Sequence, residues 1–249
     1  MKLIGNEIKY CEKHIRNNTI DDNVNKTVVI MIKYFYLVHE MTKAEIKENI
    51  LGYLQNVDEE LDEPKIDNLI KTNTSSKTTL NTLESISISS TEWEYIQTTG
   101  RSERERKVLF TLLCMYKIKV GLGFADDKTV KVEYTTLNRE AHVTLTKASR
   151  IDMLRYFTGV GAISMGMGHL AKKVKLHFVD NEKTLLEITE FDCLHIYYEY
   201  LKKGGKLILC QNCGDLCIAT SNNSKYCHTC KRIKSNQQKL EYKKKKSNI

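Results

Sequence analysis

Cys210, Cys213, Cys227 and Cys230 form two Cys-x-x-Cys pairs thirteen residues apart, and nothing else in the chain constrains its folding so strongly. A Cys-x-x-Cys turn sets two thiolates on one side of a tight bend. Gly214, directly after the second cysteine, suits the left-handed backbone that such a knuckle needs. Two knuckles facing each other make a tetrahedral site of four sulfurs, and the expected ion is Zn2+. A segment this short cannot fold around a core of its own, so the metal is expected to supply folding energy. Cys217 and, more weakly, His228 compete for ligand duty; the alternatives for them are a packed thiol and a surface imidazole. A redox role for the pairs is a lesser alternative, because two such pairs rarely coexist without metal.

The residues between the pairs, LCIATSNNSKY, suit a small hairpin turning at Asn222 and Asn223. The second pair opens directly into KRIKSNQQKLEYKKKK, good helix formers without a breaker, which places Cys227 and Cys230 at the first turn of a helix. This tail resembles a zinc ribbon or treble-clef finger.

Charge is concentrated in the same place. Residues 225–249 hold nine cations (Lys225, Lys231, Arg232, Lys234, Lys239, Lys243, Lys244, Lys245 and Lys246) against one acid, Glu241, so the segment carries all of the chain's formal +8. The other residues balance at 30 basic and 30 acidic. A helix with cations on nearly every side has no apolar face to bury, and the phosphate backbone of DNA or RNA is the partner its chemistry suits. Tyr242 is placed to stack on a base, or is simply solvated. A solubilising lysine tail is the alternative for the whole run.

The opening residues MKLIGNEIKYCEKH turn polar after four positions and have no apolar core segment, which reads as no signal peptide. The most apolar run, Thr27 to His39, contains Lys33 and is too short to span a bilayer. A soluble protein of the bacterial cytoplasm, with no membrane partner, is expected. Five of the eight cysteines fall in the last forty residues at metal spacing, not as a disulfide framework; Cys11, Cys114 and Cys193 read as reduced packing residues.

The pattern along the chain predicts an α+β protein. Residues 1–72 read as a mainly helical region. Ile8, Cys11 and Ile15 share one face of a first helix, and a buried helix is favoured over a strand from Val24 to His39. Thr42 and Glu45 form a capping box ahead of the stripe Ile46, Ile50, Leu51 and Leu54, and Pro64 starts a short helix after an acidic loop. Residues 73–92 read as a Ser/Thr-rich linker, with SISIS as one edge strand. Residues 93–205 read as an α+β domain, and 206–249 as the four-cysteine module with its basic tail.

In the middle domain, SERERKVLFTLLCMYKIK predicts a helix burying Val108, Leu109, Leu112, Leu113 and Tyr116, and TVKVEYTTL predicts a strand. Two short helices follow, around LTKASRI and from Asp152 to about Ser164. The runs AKKVKLHFVD and KTLLEITEF then read as a hairpin turning at Asn181 and Glu182. Three helices and a hairpin are the order of a winged helix. There Arg155 of the third helix, and Lys172 and Lys173 of the wing, would contact nucleic acid, with Arg150, Tyr156 and Lys175 close by. A generic α+β domain with solvated lysines is the alternative, and the glycines of TGVGAISMGMG weigh against a clean recognition helix. A helix ending at Gly204 closes the domain.

Catalytic signatures are missing. GVGAIS and GLGF are fragments of phosphate loops without the complete pattern, the acids between Asp58 and Glu63 read as a solvated loop, and no Ser or Cys has a recognisable His partner. A non-enzymatic protein is expected.

Taken together, LFTLLCMYKI, LTKASRI, KKVKLHFVD, YYEYLKKGGKLILC and the Cys-Gly knuckle resemble a loose group of phage and mobile-element proteins from low-GC Gram-positive bacteria, over roughly residues 90 to 235. The resemblance implies a helical or winged-helix body with a C-terminal zinc module and supplies no catalytic residues. Two functions are compatible with it. One is nucleic-acid binding, and the other is inhibition or adaptation of a host protein, such as an immune or transcription component, with a purely structural zinc.

Overall fold

The computed structural model describes residues 4–124, 128–166, 173–180, 182–219 and 221–247, with side chains in the last helix described through Gln237 and at Lys239. Four helices open the chain: α1 (Glu7–Asn17), α2 (Val24–Leu37), α3 (Lys43–Asn56) and α4 (Glu63–Asn73). Each starts where the sequence supplies a stop for the free backbone donors. Asn6 and Asn23 accept from Lys9 N and Lys26 N, Thr42 and Glu45 form the expected capping box, and Pro64 sits in the first turn of α4. α2 is the central rod. Its Val28, Ile30, Met31 and Ile32 are essentially unexposed and pack with Ile46, Ile50, Ile66 and Ile70 of α3 and α4.

The face of α1 differs from the one its apolar residues suggest. Ile15 is exposed, whereas Glu7, Tyr10, Cys11 and His14 are buried. The reason is that these polar groups find partners inside. Glu7 pairs with Lys33 at 2.5 Å, Tyr10 donates to Asp21 at 2.8 Å, and His14 Nδ1 lies 2.8 Å from the Thr19 carbonyl.

A second core is built from β1 (Ile86–Ser89), α5 (Ser90–Thr99), α6 (Glu103–Gly121), β2 (Thr129–Lys131), α7 (Tyr134–Glu140), α8 (Lys147–Gly159), β3 (Ile163–Met165), β4 (Lys173–Leu176), β5 (Thr184–Ile188) and α9 (Leu194–Lys203). The chain is thus a mixture of helix and strand. α6 is its axis, with residues 108–116 all buried. The SISIS run forms β1 as expected, and α5 begins immediately after it on a second capping box, Ser89 with Glu92.

Pairing in this part corrects the hairpin expected between AKKVKLHFVD and KTLLEITEF. β4 lies between β2 and β3 in an antiparallel sheet of order β2-β4-β3, while β5 pairs with β1. Val174 and Leu176 of β4, with Val130 and Ile163, and Ile188 of β5, opposite Ile86, are buried in this one core from two different sheets. Asn181 lies outside the described residues.

The two helices expected around LTKASRI and from Asp152 to about Ser164 are one, α8, capped by Thr146 accepting from Ser149 N and ending before Gly161, whose φ of 73° no helix accommodates; Ile163–Met165 is strand. The run expected as one strand from Thr129 divides into β2 and α7.

The C-terminal part comprises β6 (Leu207–Leu209), β7 (Leu216–Ile218) and α10 (His228–Ser247). β6 and β7 pair antiparallel, so the first Cys-x-x-Cys sits at the tip of a hairpin. Gly204, at φ 71°, ends α9 as expected. Among the described residues no helix is long and apolar enough to cross a membrane.

Candidate metal centre

The hairpin β6–β7 carries Cys210 and Cys213, and the start of α10 carries Cys227 and Cys230. The Sγ atoms of all four lie within 4.8 Å of one another, with Cys213 and Cys227 at 3.9 Å. A tetrahedron with ~2.3 Å metal–sulfur bonds has edges of about 3.8 Å, so the donor set fits one metal ion. None of the eight cysteines is in a disulfide. The convergence comes from local structure. The Gly214 amide donates to the Cys210 carbonyl at 2.8 Å with φ 73° at the glycine, and Cys210 N donates to the Asp215 carbonyl at 2.9 Å, which closes the first knuckle. Gln211 N donates to the Lys225 carbonyl at 2.9 Å and ties the two halves together.

The surroundings favour thiolate at Cys210 and oppose it at Cys213 and Cys230, where burial raises the thiol. Burial resists ionisation of Cys210, but the backbone amides of Cys213, Cys227 and Asn212 outweigh it and bring the thiol down to about 6. Cys230 N donates to the Cys227 sulfur at 3.4 Å, and Asn212 Nδ2 to the Cys230 sulfur at 3.5 Å. Cys213 moves the other way: burial, with Asp215 and the neighbouring sulfurs, raises it. A cation at the centre relieves that repulsion, since a coordinating thiol gives up its proton. By contrast, burial pushes Cys11, Cys114 and Cys193 upward, the behaviour of packed and unreactive thiols. Cys217, on β7, and the exposed His228 stand outside the converging group.

The expected hairpin within 216–226 is corrected as well. β7 pairs backward with β6, and Asn222 and Asn223 occupy the centre of a turn closed by Ser224 N donating to the Ser221 carbonyl at 3.0 Å. Leu216 and Leu207 of the hairpin pack against the middle core, which gives β7 an apolar reason to turn that way.

Two residues with no signal in the sequence hold the knuckle to the rest of the chain. Asn17 Nδ2 donates to the Cys213 carbonyl at 3.0 Å, and Lys13 bridges Asp192 at 3.0 Å and Asp215 at 2.8 Å. Burial opposes charge on Lys13, but the two carboxylates outweigh it and hold its ammonium above the usual lysine range. Both residues lie almost two hundred positions from the cysteines, so only the tertiary fold reveals them.

The expected nucleic-acid contacts divide among three elements. Lys225, Lys231, Arg232 and Lys239 are exposed at and beyond the metal centre, and Lys234 lies over the Tyr226 ring at 3.8 Å. Lys243, Lys244, Lys245 and Lys246 continue α10, beyond the described side chains. Arg155 is exposed on α8 and Lys173 on β4, while Lys172 lies outside the described residues. Arg150 is stacked on Tyr134 at 4.0 Å, and Tyr156 is covered by Arg101 at 4.0 Å.

Comparison with known proteins gives no match: no family model, no curated protein and no solved structure corresponds to this chain.

Proposed function

We propose that the chain is a non-enzymatic nucleic-acid-binding protein in which Zn2+ on Cys210, Cys213, Cys227 and Cys230 anchors a basic helix that grips phosphate. Four thiolates at tetrahedral spacing are a donor set for zinc or iron, and closed four-cysteine sites of this spacing are structural zinc sites. The observation that carries the reading is the exposure of α10. Residues 231–233, 235–237 and 239 are exposed around the helix, and Ile233, its one large apolar residue there, is 48% exposed. A helix with so few of its described side chains buried is marginal in water, and four successive lysines repel one another. Phosphate neutralises that repulsion through counterion release.

The middle unit supports a winged-helix reading. Its chain order α6–β2–α7–α8–β3–β4 and sheet order β2-β4-β3 suit that architecture, with α8 as the groove-facing helix carrying Arg155. The test is a gel-shift titration with and without residues 231–249. Loss of most affinity is expected on truncation, and undiminished binding contradicts the proposal.

One observation favours a second reading, an adaptor or inhibitor that binds a host protein. A groove of about 600 Å³ on α8, floored by Leu154, Met165 and Tyr134, adjoins Ile151, which is 39% exposed. A pull-down after nuclease treatment separates the two: a stoichiometric protein partner that survives favours the adaptor.

A further inference from the structure

Several cations of the middle unit are matched by acids. Lys107 pairs with Glu199 at 2.7 Å, Lys117 with Glu92 at 2.8 Å, Arg101 with Glu105 at 2.6 Å and Lys202 with Glu103 at 2.5 Å. The outer face of the β2-β4-β3 sheet gathers three that are not. Val130, Val174, Leu176 and Ile163 point inward and are buried, so the alternate positions Lys131, Lys173 and Lys175 face outward, and all three are exposed. Lys131 and Lys173 are direct cross-strand partners, and Lys175 stands two residues along β4 between Thr129 and Ser164. Among the described residues no acid forms an ion pair with any of the three.

Like charges directly opposite on a sheet face repel. The arrangement is therefore unfavourable in the free protein and is relieved by an anion that touches several lysines at once. The outward positions of the three strands hold lysine, threonine and serine and no aromatic ring. Proteins that splay single strands use platforms of Phe, Tyr or Trp on which bases stack, and this face offers only the imidazole of His177, whose Nε2 lies 3.1 Å from Ser164 Oγ. A regular phosphate backbone meets its chemistry instead.

We propose that the outer face of the β2-β4-β3 sheet, through Lys131, Lys173 and Lys175, is a second phosphate-contacting surface for duplex DNA, separate from α10. The proposal rests on the nucleic-acid reading above. Two surfaces on different elements let one chain contact a duplex at two places, and neither reads bases.

The experiment is fluorescence anisotropy with a labelled duplex of arbitrary sequence across a salt series. It uses the 249-residue chain, its K131Q/K173Q/K175Q variant, the K131R/K173R/K175R variant as a charge-retaining control, and each in the absence of residues 231–249. The glutamine variant is expected to reduce the log–log salt slope by up to about 2.7, three contacts at roughly 0.9 each, and the arginine variant to keep it. Residual binding of the truncated chain is expected to disappear with the glutamines. Binding by the intact chain whose slope the glutamines leave unchanged overturns this inference and leaves the proposed function standing. No binding by the intact chain overturns both. Loss of binding to polyglutamate with an unchanged duplex slope overturns it in favour of an acidic protein partner.

Discussion

Glu92 is fully buried and ionically paired, and it holds together three elements. Its carboxylate accepts from Lys117 at 2.8 Å, from Ser89 N at 2.9 Å and from Asp180 N at 3.1 Å, joining β1, α6 and the approach to β5. Lys117→Ala leaves a buried charge uncompensated, so urea unfolding should show a loss of about 3–5 kcal/mol. A loss no larger than that of an exposed lysine substitution would show that Glu92 is satisfied without it. At the metal centre, replacing Cys230 by serine removes a soft donor from a four-sulfur site. Metal content of the purified chain should fall from about one ion towards zero, and the amides of residues 206–230 should exchange faster with solvent. Retention of a full equivalent would place the metal elsewhere.

At the scale of elements, the signals that survived from sequence to structure are local. Thr42 with Glu45 and the Cys-Gly knuckle each act within four residues, and each appears where the sequence places it. The pairing of β4 and β5 was not legible, because both runs alternate and neither states its partner. The choice depended on Ile188 meeting Ile86 across more than a hundred residues. α8 was divided in two and carried too far for a different reason: Thr146 caps one helix that Ala148 and Met153 extend without a break, and the strand-forming Ile163 after Gly161 belongs to β3. Lys13 and Asn17 were invisible as metal-centre supports because α1 looks complete without them.

α9 carries a pH response. His195 stacks on His142 with ring centroids 4.4 Å apart, and burial, then His142 and Lys107, lowers it from 6.5 to about 4. The folded chain thus takes up this proton near pH 4 and the unfolded chain near 6.5. The stability that neutral His195 contributes is complete above about pH 6.5 and is lost as the pH falls towards 4. Unfolding free energies of the wild type from urea titration should fall further over that window than those of His195→Gln, by about 1–2 kcal/mol after allowance for solvent screening. Parallel curves would contradict the assignment.

At the scale of the whole molecule, charge is separated along the chain. A body of balanced charge holds two cores, and the four-cysteine cluster sits where α1, α9 and β7 meet. From that joint α10 extends with cations on nearly every side. The most direct test is the salt dependence of duplex binding by the 249-residue chain. The account predicts binding that weakens steeply with salt, with a log–log slope of roughly −0.9 for each phosphate neutralised and little preference among sequences. Binding that is absent at low salt, or insensitive to salt when present, would contradict it.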